Sequence, residues 1–122
     1  MVIFKSFSYA LKGLRYVIMS ERNARIHLVL AVLALLASII FNISLQEWLF
    51  VAVSITLVFF AEIVNTAIEK TLDLISQENN QMVRMIKDMM AAAVLVTAIT
   101  AFTVASVIFV PRIYDIIRSV NW

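Results

Sequence analysis

The sequence predicts an all-α integral membrane protein, with one amphipathic surface helix followed by three membrane-spanning helices. Three observations carry this. The chain is 63% hydrophobic, against about 45–50% in soluble domains. It holds one Gly and one Pro in 122 residues, so little interrupts helix. Its long apolar runs are separated by short polar stretches, and the basic residues cluster at the edges of those runs.

Residues 1–20 form the first element. Val2, Ile3, Phe4, Phe7, Leu11, Leu14 and Ile18 recur at helical spacing, with Lys5, Lys12 and Arg15 between them. Such a helix lies in the membrane interface, apolar side down and basic side toward the headgroups. Gly13, the only glycine, marks a close contact or a bend. No short apolar core with a small-residue cleavage site precedes it, so no signal peptide is expected. Ser20 is the expected N-cap of the next helix, with Glu21 favourable at its positive end.

The first span is expected over 24–42, with Arg25 and His27 at its entry end. Eighteen residues from Ala24 to Phe41 make about 27 Å of helix, close to a bilayer core. A short turn follows, and Trp48 sits where an interfacial aromatic belongs. The second helix, 45–75, is about 45 Å long, so its far end must leave the hydrocarbon. The third span is expected over 88–110, with Pro111 as its stop. The remaining tail, 111–122, reads as a short surface helix on the outer side.

Basic residues orient the chain. Lys5, Lys12, Arg15, Arg22 and Arg25 precede or open the first span, and Arg84 and Lys87 precede the third. The turn between the first two spans has none. The N-terminus and the second connection are therefore cytoplasmic. A net charge of +2 and no basic stripe leave no case for nucleic acid. The absence of cysteine removes disulfides, thiolate chemistry and Cys-based metal sites. A single histidine cannot make a His-based metal site.

The second helix carries the chemistry. Trp48 to Ala61 is free of charge, and then come Glu62, Asn65, Glu69 and Asp73. At about 100° per residue the last three fall within roughly 60° of Glu62 and form one stripe. Glu62 lies about 20 Å beyond Trp48, and Glu69 about 10 Å further. An ionisable group in lipid costs about 2.5 kcal/mol or more unless it faces protein or water. Glu21, this stripe and Lys87-Asp88 all converge on the cytoplasmic side. Carboxylates with an amide suit Mg²⁺, which takes few protein oxygens alongside waters and phosphates. Lys and Arg suit phosphate oxygens. Phosphoryl transfer from a metal-bound nucleotide to a membrane-embedded hydroxyl follows. A Gly-rich phosphate loop is out of reach with one glycine. A proton or ion pathway would need ionisable groups across the whole membrane, and Trp48 to Ala61 has none. A scaffold subunit would not need Lys87-Asp88 beside the carboxylates, and a two-histidine phosphatase mechanism is unavailable.

The pattern Glu62-xx-Asn65-Thr66-Ala67-Ile68-Glu69-xxx-Asp73, with Lys87-Asp88 before Ala91-Ala92-Ala93-Val94-Leu95, resembles the prokaryotic diacylglycerol kinase family. Ala10-Leu11-Lys12-Gly13-Leu14 and Glu21-Arg22-Asn23-xx-Ile26-His27 add to the resemblance. The latter and Ile108-Phe109-Val110-Pro111 are similar to its undecaprenol kinase branch. The resemblance spans roughly residues 4–111. It implies a homotrimer in the bacterial cytoplasmic (inner) membrane, with composite active sites between protomers facing the cytoplasm. It implies ATP and Mg²⁺, and a lipid alcohol acceptor, undecaprenol ahead of diacylglycerol. It implies Glu62 as catalytic base, and Glu21 and Glu69 as ligands of the metal that bridges the ATP phosphates. Asn65 would orient substrate or phosphate, Lys87 would neutralise phosphates and Asp88 would brace the arrangement. Tyr9 would contact the nucleotide, and Asp73 would support its end of the site. Two departures stand out. The Gln77–Arg84 connection lacks the aromatic or His-Pro residues of many relatives, and Met90 replaces a small residue.

Overall fold

The computed structural model describes residues 2–76 and 80–121. Four helices follow one another: α1 (Val2–Ser20), α2 (Arg22–Ile40), α3 (Leu45–Ile75) and α4 (Gln81–Val120). The last three are long and apolar enough to cross a membrane. α3 is the centre: it packs along α4 most extensively, then against α2, and α1 touches both α2 and α3. Large apolar side chains such as Leu33, Phe60 and Phe102 point outward. That surface would be a liability in water and is the ordinary one in lipid, where helices satisfy their own backbone.

A single extended residue, Glu21, breaks α1 from α2 (φ −109°, ψ 118°). Its N–H closes α1 on the Val17 carbonyl at 2.9 Å. Arg25 Nη1 donates to the Ile18 and Met19 carbonyls at 3.0 and 2.9 Å, satisfying acceptors left open at the end of α1. The N-cap of α2 is thus Glu21, not Ser20, and its side chain makes no capping bond. The carboxylate is left free for other work. Gly13 shows no close contact within the chain, since a Cβ there would meet nothing within 4 Å.

The α2–α3 turn is specified by its own residues. Asn42 takes the left-handed conformation (φ 49°), which Asn tolerates better than most. Asn42 N–H donates to the Ile39 carbonyl (3.2 Å) and Ile43 N–H to the Ser38 carbonyl (3.3 Å), a Schellman closure with Ile43 buried beneath it. Ser44 and Glu47 then form a reciprocal capping box at 3.2 and 3.1 Å. α3 consequently starts at Leu45 and ends at Ile75, as the sequence predicts.

α4 differs from expectation at both ends. It begins at Gln81, capped by Asn80 Oδ1, which accepts from the N–H groups of Met82 (2.8 Å) and Val83 (3.4 Å). The part of the polar connection at Gln77, Glu78 and Asn79 lies outside the described residues. At the other end Pro111 does not stop the helix, which runs on to Val120. A proline omits one backbone bond and strains the preceding turn, yet spanning helices tolerate it where neighbours supply donors. Pro111 leaves the Val107 carbonyl without its usual backbone donor, and in the same turn Arg112 adds a side-chain donor, Nη1 to the Ile108 carbonyl at 2.6 Å. The same guanidinium grips Glu47 with two bonds of 2.8 Å, tying the start of α3 to the end of the third span. Ile43, Val51, Ile108 and Phe109 form the buried cluster beside this clamp. The segment after residue 110 is therefore a continuation of α4 rather than a separate surface helix.

Removing one partner of the clamp leaves the other charge beside an apolar cluster. Arg112→Ala is expected to lower the thermal midpoint in detergent by several degrees, which melting curves of the purified protein check.

Candidate active site

The stripe on α3 is graded from buried to exposed. Glu62 is 1% exposed, Asn65 and Glu69 are half-buried, and Asp73 is exposed. α3 packs against both α2 and α4, and its polar stripe emerges from that packing toward Asp73, where Lys87 of α4 meets it. Thr66, 2% exposed, sits one turn beyond Glu62 and donates its hydroxyl to the Glu62 carbonyl at 2.9 Å. The sequence reading passed over Thr66, although its place four residues after Glu62 puts it on the flank of the stripe.

Two buried oxygens, Glu62 Oε1 and Asn65 Oδ1, have no hydrogen-bond partner among the described residues. Buried polar atoms are almost always paired, so two orphans one helical turn apart mark a place built for something else. The nearest polar group to Glu62 Oε1 is His27 Nε2 at 3.3 Å. The contact is not aligned as a formed hydrogen bond, which is how the oxygen remains orphaned. His27 thus makes a polar contact inside the chain.

Around this centre the carboxylates gather. Glu21, half-buried at the α1–α2 break, and Glu69 both lie within electrostatic range of Glu62. Residues far apart in sequence are thereby brought to one place. Lys87 Nζ bonds Asp73 Oδ1 at 2.9 Å, linking the end of α3 to the first turns of α4, and it is also within range of Glu69. Asp88 and Tyr9 are exposed. Tyr9 lies under Lys12, whose Nζ is 5.6 Å from the ring centroid. Measured along α1 it is about 18 Å from Glu21.

Among the described residues no three His, Cys, Asp or Glu side chains stand close enough to cage a metal alone. The arrangement suits a metal that arrives with its own oxygens: Mg²⁺ characteristically takes one or two carboxylates and fills the rest with water and phosphate. Glu21 and Glu69, each within electrostatic range of Glu62, would be a donor pair of that kind.

Below Glu62 an apolar groove of about 500 Å³ runs between α2, α3 and α4. His27 stands at its Glu62 end and Phe109 at the other, with Ala31, Ala34, Ala101 and Ala105 along the walls. The only other polar lining residue, Ser54, spends its hydroxyl on the Phe50 carbonyl. Small residues on facing helices leave the space open. Thr97, Thr100 and Thr103 on α4 likewise bond their own backbone carbonyls rather than a neighbour.

Comparison with known proteins gives the family. The family model of prokaryotic diacylglycerol kinase matches residues 8–109. The undecaprenol kinase of Bacillus subtilis is 34% identical over 110 residues, covering 90% of this chain and 89% of that protein. The diacylglycerol kinase of Escherichia coli K12 is 33% identical over 99 residues, 81% of each chain. That of Synechocystis is 31% identical over 112 residues, 91% of this chain and 64% of the relative. Stripe, groove and three spans together find their place in these similarities: the chain belongs to the prokaryotic diacylglycerol kinase family of membrane lipid kinases.

Proposed function

We propose that this protein transfers the γ-phosphate of ATP, with Mg²⁺, to the primary hydroxyl of a membrane lipid alcohol, undecaprenol by preference. The observation that carries this is Glu62: a carboxylate 1% exposed, with an orphaned oxygen, next to the head of an apolar groove. A lipid tail occupying the groove brings its hydroxyl to the Glu62 end. Glu62 takes the hydroxyl proton as the lipid oxygen forms its bond to the γ-phosphorus. The bond from that phosphorus to the β–γ bridging oxygen breaks, and ADP leaves. Asn65 orients the hydroxyl or the transferring phosphate. Glu21 and Glu69 would hold the Mg²⁺ that accompanies ATP, which would supply charge neutralisation at the phosphate oxygens. Lys87, released from Asp73 or shared with it, draws the phosphates to the cytoplasmic mouth. Asp73 and Asp88 keep that lysine in place.

Tyr9 contacts the nucleotide from a neighbouring protomer of a homotrimer. Its distance from Glu21 within one chain favours that arrangement over a site completed by a single protomer. The N-terminus and the site face the cytoplasm, since basic residues flank that end of the spans and the opposite end carries the charge-neutral Glu47–Arg112 pair.

Undecaprenol is favoured because the Bacillus relative bears that substrate in its name and the apolar groove offers room for a polyprenyl chain. Diacylglycerol is the second reading, from the names of the other relatives. Purified protein given labelled ATP and equal mole fractions of both lipids in mixed micelles decides between them. Undecaprenol is expected to take up label at least about tenfold faster in kcat/KM, a difference of about 1.4 kcal/mol in transition-state binding. Preference for diacylglycerol would reverse the assignment.

A further inference from the structure

His27 is the only histidine in the chain, and its position is specific. It lies on the face of α2 that packs on α3, between Ala24 (0% exposed) and Ala31 (8%). These small residues let the α2 backbone approach closely and leave the imidazole as the large group in the contact. Its Nε2 stands 3.3 Å from Glu62 Oε1, an oxygen closed to solvent. The other charged groups around Glu62 are carboxylates: Glu21 from the α1–α2 junction and Glu69 on α3 itself. Lys87, from α4, is engaged with Asp73 further along. His27 is thus the group that offers Glu62 a proton donor.

We propose that His27 is a positioning residue for Glu62, holding Oε1 through its Nε2–H so that Oε2 faces the acceptor hydroxyl. The inference rests on the reading of Glu62 as the base. A buried carboxylate with no donor has nothing to fix the plane of its carboxyl group. One donor on one oxygen fixes the carboxyl plane and keeps the other oxygen as acceptor. A base oriented by a third group is a recurrent device for proton abstraction. A small reorientation of the imidazole aligns the contact as a hydrogen bond, and such bonds, often poorly aligned in a free enzyme, tighten when substrate arrives. The proton taken at Oε2 does not pass through His27.

The test uses full-length protein in mixed micelles, comparing wild type with His27→Ala, His27→Gln and Glu62→Gln. His27→Ala is expected to lower kcat about thirtyfold, with KM for ATP and for lipid changed less than about twofold. His27→Gln, whose amide returns a donor at similar reach, is expected to recover most of that loss. A second readout is independent of turnover: a hydrophobic carbodiimide labels protonated buried carboxyls, and mass spectrometry measures labelling at Glu62. Loss of His27 is expected to speed that labelling about fivefold or more. The inference is overturned by a His27→Ala kcat within about twofold of wild type. It is equally overturned by a Gln variant no better than the Ala variant, or by an unchanged labelling rate. Equal turnover of wild type and Glu62→Gln would instead remove the base assignment beneath it, and the inference with it.

Discussion

Glu62→Gln is expected to lower lipid phosphorylation by about 10³-fold or more in kcat, within the range that general-base removal reaches. Gln is nearly the same size, and the site already tolerates an orphaned oxygen at that position. Folding should therefore survive, and replacing a buried carboxylate with a neutral amide removes a desolvation cost. ATP binding should also survive, because the candidate nucleotide-side groups, Glu69 and Lys87, lie further toward the cytoplasmic mouth. A variant that melts near wild type, binds ATP and does not turn over is the combination that identifies a base. Loss of ATP binding together with turnover would place Glu62 in the nucleotide site instead.

Glu69→Gln is expected to act on the other substrate. It should raise the apparent KM for MgATP by about 10- to 100-fold, the scale on which altered metal coordination shows itself, and raise the Mg²⁺ concentration needed for half-maximal rate. Excess Mg²⁺ should restore part of the rate, because Glu21 remains as a donor. KM for the lipid should be unchanged. An unaltered Mg²⁺ titration would remove Glu69 from the metal site. The contrast between the two variants is the useful part. Their carboxylates share one helix face about 10 Å apart, so opposite effects on lipid and nucleotide parameters would establish a polarity along the stripe.

The rival of a proton or ion pathway meets an electrostatic obstacle. Between the Glu47–Arg112 pair at one end of α3 and Glu62 further along it, α3 offers no ionisable side chain. The groove beside that stretch is apolar, with Ser54 bonded to its own helix. A conducted charge would cross that length without a partner, at the cost that hydrocarbon imposes.

Much of the architecture was legible locally. The bounds of α3 follow from Ser44-x-x-Glu47 at one end and the fading of the apolar run at the other. The stripe follows from spacing alone, since helical periodicity puts Glu62, Asn65, Glu69 and Asp73 on one face whatever surrounds them. What escaped depends on contacts across the chain. Pro111 carries a stop signal that holds in isolation, but Arg112 supplies a donor to the strained turn and anchors it to a glutamate 65 positions away. Ser20 has the better capping chemistry, yet the extended residue is Glu21, because Arg25 closes the α1 carbonyls from the following helix. His27 and Glu62 were each visible as polar residues in apolar runs. Their pairing is a product of how α2 lies on α3, which buried Ala24 and Ala31 permit. Asp73 and Lys87 were assigned separate duties toward nucleotide and phosphate, and the structure adds that they hold each other.

The central claim is that a buried carboxylate on α3 drives phosphate from ATP onto a lipid hydroxyl. Its most direct test incubates the purified protein with γ-labelled ATP, Mg²⁺ and lipid alcohol in mixed micelles. Label is then counted in the organic phase after extraction, with Glu62→Gln run in parallel. The account predicts label in the phosphorylated lipid for the wild type and near-background counts for the variant. Absence of organic-phase label from wild type with either lipid, or equal counts from both proteins, would contradict it.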